Sequence, residues 1–387
     1  MESTIKSNQT TSLRIGFDAR SICGERTGVG TYTANLIETL LDVAPEISPV
    51  LFAAGDLPSL SWLSNERVRT VIRPAGSGNN LIWTNVALRR AITSQPVDLF
   101  HAPGYTRPFG LGIPSIVTLH DVCYAAAPQW YPYKLSFFRR SWYRKAAVGA
   151  DAILTDSEFS KREILRVYGV PPAKVHTIYP GVDRVKFRRV ENPQTLREFR
   201  ARHSLPADFL LFVGDIHPRR NIGTIMTALH EVKSANSNFR DVEFIVVGRA
   251  LELPADWKQP DVRYLGHIPD SDLPLFYSAA RALVYPSFYE GFGLPILEAM
   301  ACGCPAVVSR GTVCEETAGG AGILVDPASV PSVAEAIRGV LKNQDLAARC
   351  RAEGFQRALD FDWRKTATQT LKVYSRMKSA TGSGPRT

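Results

Sequence analysis

Short apolar runs alternate with segments of helical hydrophobic periodicity along almost the whole chain. A short apolar run bounded by turn residues is typical of a buried strand, and its alternation with helices is typical of a parallel sheet covered on both faces. The runs predict strands at residues 13–18, 50–53, 97–101, 116–120, 152–155, 175–178, 209–214, 243–248, 262–265, 282–285, 306–309 and 323–325. We therefore predict an α/β protein built on parallel sheets.

The apolar pattern is interrupted by a charged stretch from 184 to 206. We place a domain boundary there, which gives an N-terminal domain at 1–184 and a second domain from 185 onward. No apolar run approaches the length of a membrane span, and residues 1–12 lack the apolar segment of a signal peptide. Residues 1–12 and 379–387 are expected to be a disordered leader and tail, and the catalytic part is expected to be cytoplasmic.

Glycine or polar residues follow three predicted strands of the first half. They are Gly28 and Gly30, His120 and Asp121, and Asp156 and Ser157. Ligands of parallel sheets bind beyond the carboxyl ends of the strands, so these residues predict one ligand-binding edge. A dinucleotide fingerprint is incomplete here, because Thr33 takes the position of the third glycine.

The strongest chemical signal lies in residues 281–304, where a predicted strand, a glycine-rich loop and a helix follow one another. Pro295 is expected to open the helix, because its fixed φ suits the first helical position. Gly291 and Gly293 would let a ligand approach the backbone closely. Since free N–H groups and the positive dipole end at a helix start attract anions, this junction predicts a phosphate or diphosphate site.

Two carboxylates, Glu290 and Glu298, flank this helix start. Carboxylates repel phosphate, so their partners should be hydroxyl groups, and a nucleotide sugar meets both demands. The pair encloses Gly-Phe-Gly-Leu-Pro and resembles the E-x7-E signature of retaining glycosyltransferases of family 4, also called group 1. The resemblance covers about residues 13–378. It implies the GT-B fold, in which two doubly wound Rossmann-like domains face each other across a cleft.

The resemblance also implies roles for particular residues. The N-terminal domain would bind the acceptor, the C-terminal domain at 185–360 would bind the donor, and a helix at 361–378 would cross back to the N-terminal domain. His120 would contact the transferred sugar, Glu290 its hydroxyls and Glu298 the ribose hydroxyls. Further donor positions are Gly28, Gly30, Arg219, Arg220, Ile268, Gly291, Phe292, Gly293 and Leu294, and the acceptor-side positions are Asp121, Asp156 and Ser157.

A second loop before a helix carries Arg219 and Arg220, whose guanidinium groups could hold phosphate oxygens. This loop resembles the family's G-x-x-x-P-R-K-N, with Arg220 in place of the lysine. Many relatives have a second cation just after the glycine, whereas this chain has Asp215. The main phosphate contact is therefore expected from Arg219.

We predict transfer of a hexose, with retention and without a metal, from a nucleotide-diphosphate sugar to a hydroxyl of a glycan or lipid-linked saccharide. Family precedent suggests that the leaving phosphate takes the acceptor proton. GDP-mannose and bacterial surface-polysaccharide assembly are favoured, and UDP-glucose, UDP-N-acetylglucosamine and deoxyhexose donors remain open. Inverting transfer with His120 as general base, a nucleotide-sugar epimerase, a glycosidase using Glu290 and Glu298, and a catalytically silent nucleotide-sugar-binding subunit also remain open.

The net charge of +9 predicts an anionic partner, and a charged substrate or membrane is preferred to nucleic acid because no recognition module is visible. Aromatic and basic residues interleave at 130–145. They predict either contact with an anionic bilayer, on the inner face of the plasma membrane, or an ordinary amphipathic helix. The six cysteines show no C-x-x-C spacing, and the D-x-D pairs at 270–272 and 360–362 are interpreted as helix caps, so no metal site is predicted.

Overall fold

The computed structural model describes residues 12–24, 27–74, 82–130, 136–249 and 259–381. The predicted leader lies outside these residues except for Ser12, and so does the predicted tail from 382 onward. The chain divides into two compact units. Unit 1 comprises Met1–Ala125, Tyr133–Pro180 and Trp363–Thr387, and unit 2 comprises Ala126–Pro132 and Gly181–Asp362.

Residues 126–132 were placed in the N-terminal domain by the sequence, and the structure groups them with unit 2. The Trp130 ring stacks on the Phe288 ring within that unit, with centroids 5.2 Å apart. The predicted boundary after residue 184 lies close to the division at Pro180.

Unit 1 contains a parallel sheet with the order β3-β2-β1-β4-β5-β6-β7 in the part of the chain that the structure describes. The order reverses between β1 and β4, which is where doubly wound sheets bind ligands. The strands are β1 (Leu13–Asp18), β2 (Ile47–Ala53), β3 (Arg69–Ile72), β4 (Leu99–Ala102), β5 (Ser115–Thr118), β6 (Ala152–Thr155) and β7 (Val175–Thr177). The associated helices are α1 (Gly28–Val43), α2 (Arg89–Thr93), α3 (Cys123–Ala126), α4 (Ser136–Gly149) and α5 (Glu158–Tyr168).

Two details of unit 1 correct the sequence interpretation. Gly28 and Gly30 were expected in a loop before α1, but the helix begins at Gly28, directly after the extended residue Thr27. His120 was expected to end its strand, but β5 ends at Thr118 and His120 follows in the loop. The reason is that parallel pairing of β5 with β4 and β6 ends before the apolar run does.

Unit 2 repeats this architecture with the parallel order β10-β9-β8-β11-β12-β13 among its described residues. Its strands are β8 (Phe209–Val213), β9 (Glu243–Val247), β10 (Val262–Gly266), β11 (Ala282–Tyr285), β12 (Ala306–Ser309) and β13 (Ile323–Val325). Its helices are α6 (Pro193–Arg202), α7 (Ile222–Ala235), α8 (Leu273–Ala279), α9 (Leu294–Ala301), α10 (Val313–Ala318), α11 (Val330–Lys342) and α12 (Gln344–Leu359). The order reverses between β8 and β11.

The last helix, α13 (Trp363–Thr381), belongs to unit 1. Trp363, Ala367, Val373 and Tyr374 join the hydrophobic core formed by β1 and α1. Residues 379–381, which the sequence placed in the tail, are helical. Among the described residues, no helix is both long enough and apolar enough to span a bilayer.

Candidate active site

The loop between β11 and α9 forms a narrow turn in front of a helix. α9 begins at Leu294 rather than at Pro295, which occupies the next position. Gly293 caps the helix with φ +93°, a conformation that favours glycine. A side chain of α10 fixes the loop, because the Thr317 hydroxyl donates a 2.6 Å hydrogen bond to the Phe292 carbonyl. The predicted helix start is therefore present, and buried, fixed backbone precedes it.

Glu290 lies in this loop and is paired with both predicted arginines. Its carboxylate oxygens lie 2.9 Å from Arg220 Nε and 3.9 Å from Arg219 Nη2. Tyr285 donates a 3.3 Å hydrogen bond to the same carboxylate, and its hydroxyl also contacts the Arg220 guanidinium. The sequence assigned Glu290 and the arginines to different parts of the ligand, and the structure places them together. Two guanidinium groups face one carboxylate, so the cluster retains one net positive charge.

Burial is the main influence on the pKa of Arg220. Burial lowers this pKa, Glu290 raises it, and Arg219 lowers it again, with a net lowering. The lowering therefore reflects the loss of water around the guanidinium group more than an excess of neighbouring positive charge.

Asn221 fixes the arginine turn and was not singled out by the sequence. It adopts φ +60°, and its side-chain amide donates to the carbonyls of Pro286 (3.1 Å) and Pro327 (2.6 Å). The Phe288 N–H also donates to the Arg219 carbonyl at 2.8 Å. These bonds attach the arginine turn to the loop that carries Glu290. An asparagine directly before a helix could have indicated this role, since asparagine tolerates the left-handed backbone region better than most residues.

Asp215 stands where many relatives have a cation, and in this chain it pairs with an arginine from another loop. Arg249 Nε lies 3.3 Å from an Asp215 carboxylate oxygen. Arg249 follows β9, so the tendency of ligands to bind beyond the carboxyl ends of parallel strands could have identified it. The pair is charge-balanced, which leaves Arg219 and Arg220 as the cations paired with Glu290.

Glu298 has a separate environment on α9. The buried Tyr277 hydroxyl donates a 2.8 Å hydrogen bond to Glu298 Oε2. Burial raises the pKa of Glu298 to about 7, although Tyr277 and Lys186 lower it, and Asp270 raises it further. Glu298 is thus a carboxyl group that titrates near neutral pH.

The remaining donor-side positions occupy the neighbouring loops of unit 2. Ile268, one of the predicted donor positions, is buried just after β10. Asp270 and Asp272, interpreted as helix caps, pair instead with Lys186 (3.1 Å) and His203 (3.4 Å). Asp272 does occupy the position before α8, but its side chain makes no capping hydrogen bond.

In unit 1, His120 is buried and both of its ring nitrogens face acceptors. Nδ1 lies 2.6 Å from Asp156 Oδ2, and Nε2 lies 3.0 Å from the Pro103 carbonyl oxygen. Burial lowers the pKa of His120, but Asp156 and the hydrogen bonds outweigh burial and raise it. A histidine between two acceptors is satisfied when both nitrogens carry protons. His120 is therefore arranged as a cation paired with Asp156.

The other first-half positions have structural partners. Asp121 Oδ1 accepts a 3.0 Å hydrogen bond from the Cys123 N–H. Ser157 caps α5 by accepting from the Ser160 N–H at 3.0 Å, and the Ser160 hydroxyl donates to the His120 carbonyl at 3.1 Å. The structure thus brings His120 and Asp156 together. Gly28 and Gly30 form the first turn of α1.

Comparison with known families matches both parts of this architecture. Residues 26–186 match the family described as Glycosyltransferase Family 4, and residues 207–343 match Glycosyl transferases group 1. O-antigen chain mannosyltransferase B of Escherichia coli is 31% identical over 285 residues, which cover 71% of this chain and 74% of that protein. The chain belongs to glycosyltransferase family 4. The resemblance carried by the E-x7-E motif is confirmed.

A further relative of this glycosyltransferase is a D-inositol 3-phosphate glycosyltransferase of a Nocardioides species, 30% identical over 253 residues. The match covers 59% of this chain and 54% of that relative, so the chain spans only about half of it.

Solved structures with the same fold are less similar in sequence. A sucrose-phosphate synthase of Thermosynechococcus elongatus has a TM-score of 0.76 at 21% identity, over 95% of this chain and 100% of that one. The Anabaena protein HepE, solved with UDP and glucose, has a TM-score of 0.73 at 18% identity, over 94% and 99%. The predicted GT-B fold of this family 4 glycosyltransferase is confirmed.

Proposed function

We propose that this glycosyltransferase transfers a hexose, with retention, from a nucleotide-diphosphate sugar to a hydroxyl of a glycan or a lipid-linked saccharide. The first candidate donor is GDP-mannose, and the proposed setting is the assembly of a bacterial surface polysaccharide. Similarity to an O-antigen mannosyltransferase supports both choices.

The observation that carries the proposal is the pairing of Glu290 with Arg219 and Arg220 in front of α9. The cluster keeps one net positive charge, and the N–H groups at the helix start add partial positive charge. A leaving diphosphate develops negative charge as its bond to the sugar breaks. Fixed cations and N–H groups at the helix start stabilise this charge without having to move. Such preorganised electrostatic stabilisation is usually the largest contribution to catalysis.

Within this proposal the two glutamates hold hydroxyl groups at opposite ends of the donor. Glu290, fixed by Arg220 and Tyr285, would accept hydrogen bonds from the transferred sugar. Glu298, fixed by Tyr277, would accept them from the ribose. Each carboxylate is positioned by a tyrosine hydroxyl, so neither needs to reorient when the ligand binds.

The environment of His120 favours retention over inverting transfer. A general base needs a nitrogen lone pair for the acceptor proton, and both His120 nitrogens face acceptors. We propose that the leaving phosphate takes that proton on the same face of the sugar. NMR of the anomeric proton of the product distinguishes the two outcomes.

The experiment that tests this function combines ligand screening with one substitution. Thermal shift measurements with GDP, UDP, ADP and dTDP sugars should identify a stabilising donor, because a ligand that binds only the folded protein raises its stability. Glu290→Gln should then reduce release of the nucleoside diphosphate, measured with saccharide acceptors, by about a hundredfold or more. Affinity for the nucleoside diphosphate should be retained, because Arg219 and Arg220 remain.

Glu231→Gln is the matched control, since Glu231 is exposed on α7, which follows the arginine turn. Its turnover should equal that of the wild type. A Glu290→Gln enzyme that keeps most of its activity would refute the role of Glu290. Absence of stabilisation by any of the nucleotide sugars would refute the function itself.

We further propose that the enzyme binds an anionic membrane surface through α4. Phe137 and Phe138 on this helix are each 68% exposed, and Arg139, Arg144 and Lys145 are exposed as well. Apolar rings next to basic groups suit the interface of a bilayer with anionic lipids. The part of the predicted segment at 131–135 lies outside the described residues.

A further inference from the structure

Three tyrosines form a cluster around His120. Tyr105 follows β4, Tyr124 lies on α3, and Tyr143 lies on α4. Tyr105 stacks on Tyr143 with centroids 5.2 Å apart, and Tyr124 meets the two rings edge-on at 6.3 and 5.5 Å. The Tyr105 ring also lies 6.2 Å from the His120 ring. The cluster therefore lies next to His120 in unit 1.

The cluster is only half-buried, unlike the aromatic residues of the core. Tyr105, Tyr124 and Tyr143 all keep part of their surface exposed, whereas Phe17 and Phe100 in β1 and β4 are fully buried. Half-exposed tyrosines offer a rigid surface that is apolar on the ring and polar at the hydroxyl. Such a surface suits a ligand with the same mixture of groups.

The charged groups next to the cluster include an ion pair, and the Arg139 guanidinium lies 5.5 Å from the centroid of the Tyr124 ring. Asp18 and Arg20, at the end of β1, form an ion pair with contacts from 2.5 to 3.1 Å. Arg20 also donates a 3.1 Å hydrogen bond to the hydroxyl of Thr106, the neighbour of Tyr105. A paired arginine has little charge left for a phosphate, but the partly exposed Arg20 guanidinium can still donate hydrogen bonds to hydroxyl groups.

We propose that the tyrosine cluster and the Asp18–Arg20 pair form the subsite for an uncharged pyranose of the acceptor. The C–H face of the sugar would lie against the exposed ring surface, and its hydroxyls would bond to the polar pair. This inference rests on the proposed function, because it assigns unit 1 to the acceptor. It names a chemical class of acceptor, a neutral saccharide rather than a sugar phosphate, and it makes Tyr105 and Tyr143 specificity-determining residues.

Saturation-transfer difference NMR of the full chain with methyl glycosides tests the subsite without requiring turnover. The probes are the methyl α-glycosides of mannose, glucose, galactose and N-acetylglucosamine. Irradiation of aromatic protons should saturate the ring C–H protons of at least one glycoside. Tyr143→Ala and Tyr105→Ala should weaken binding about tenfold, whereas Tyr143→Phe and Tyr105→Phe should retain most of the signal, since the ring supplies the contact.

Tyr179→Ala is the control for loss of a tyrosine, because Tyr179 is exposed in unit 1 and lies outside the cluster. It should leave the saturation unchanged. Resistance of unit 1 to limited proteolysis, measured on each variant, reports that this unit is folded. Equal saturation in wild type and alanine variants, or no saturation of any of the four glycosides by the wild type, overturns the subsite. Nucleotide-sugar binding is scored separately, so failure of the subsite is distinguishable from failure of the proposed function.

Discussion

Glu298 is the residue whose environment predicts a pH effect. Burial raises its pKa to about 7 from the ordinary 4.5, so the protonated form is favoured in the folded state. A group of this kind contributes stability below its unfolded pKa, and that contribution is lost as pH rises through the folded pKa. The window for Glu298 therefore runs from about pH 4.5 to about pH 7.

We expect Glu298→Gln to remove this dependence. Between about pH 5 and pH 8 the wild type should lose on the order of 2 kcal/mol of unfolding free energy relative to the variant, because one pKa unit corresponds to about 1.4 kcal/mol. Urea unfolding at several pH values measures the difference. Glu353→Gln, at an exposed position on α12, should run parallel to the wild type. Parallel curves for Glu298→Gln would contradict the prediction.

Individual residues of the site were predictable where a motif carried them. The spacing of Glu290, Glu298 and the glycines located the helix start, and the loop motif located Arg219 and Arg220. The ion pairs between Glu290 and the arginines were not predictable, because those residues lie on different strand-to-helix connections that come together only in the folded sheet. The same applies to Tyr277, which positions Glu298 from α8.

At the scale of elements, periodicity identified the buried strands well because both faces of a parallel sheet are covered. β3 was missed, since it lies at the sheet edge and only one of its residues is buried. α6 was assigned to a charged linker, because Phe199 is its one buried residue. Elements with little buried surface leave little hydrophobic pattern in a sequence.

α4 carries the exposed rings of Phe137 and Phe138, and its proposed membrane contact is testable by vesicle sedimentation. Replacing Arg139, Arg140, Arg144 and Lys145 with glutamate should abolish recovery on anionic vesicles, since each basic residue near the surface contributes about 1 kcal/mol. Phe137→Ser with Phe138→Ser should weaken binding even at low salt.

The matched control for α4 carries the same change of net charge on unit 2. It replaces four exposed basic residues, Arg202, Arg240, Lys342 and Arg349, with glutamate. This variant should keep most of the binding if α4 is the contact. Equal recovery of the wild type and the α4 variant would remove the membrane proposal.

At the scale of the whole molecule, the two units differ in how continuous their sequences are. Unit 2 is almost entirely the continuous stretch Gly181–Asp362, whereas unit 1 includes the last helix of the chain. Hydrophobic periodicity does not indicate which core α13 joins. Only the family resemblance supplied an expectation for its position, since periodicity describes a helix and not its packing partner.

Deleting residues 363–387 should therefore unfold unit 1 and leave unit 2 folded. Trp363 and Tyr374 are buried in the core of unit 1, and removing a buried aromatic side chain costs about 3–5 kcal/mol. Tyr374 also shares a 2.6 Å hydrogen bond with the buried His101, which would lose its partner. Together these losses are comparable to the whole stability of a domain, about 5–15 kcal/mol.

Limited proteolysis measures the effect, because a folded unit 2 resists cleavage while an unfolded unit 1 does not. The control deletion removes only residues 382–387 and should behave as the wild type. A truncated chain with an intact, protease-resistant unit 1 would show that α13 is dispensable.

Because α13 packs in the core of unit 1, its late synthesis affects the order in which the two units can fold. The ribosome releases β1 and α1 before unit 2 and α13 after it, so the N-terminal unit stays incomplete until α13 has been translated. The continuous unit can fold earlier, which reverses the usual order in which nascent domains mature. Until α13 has been made, the face of α1 that packs against it stays exposed. Chaperones and neighbouring nascent chains can bind that face during this time.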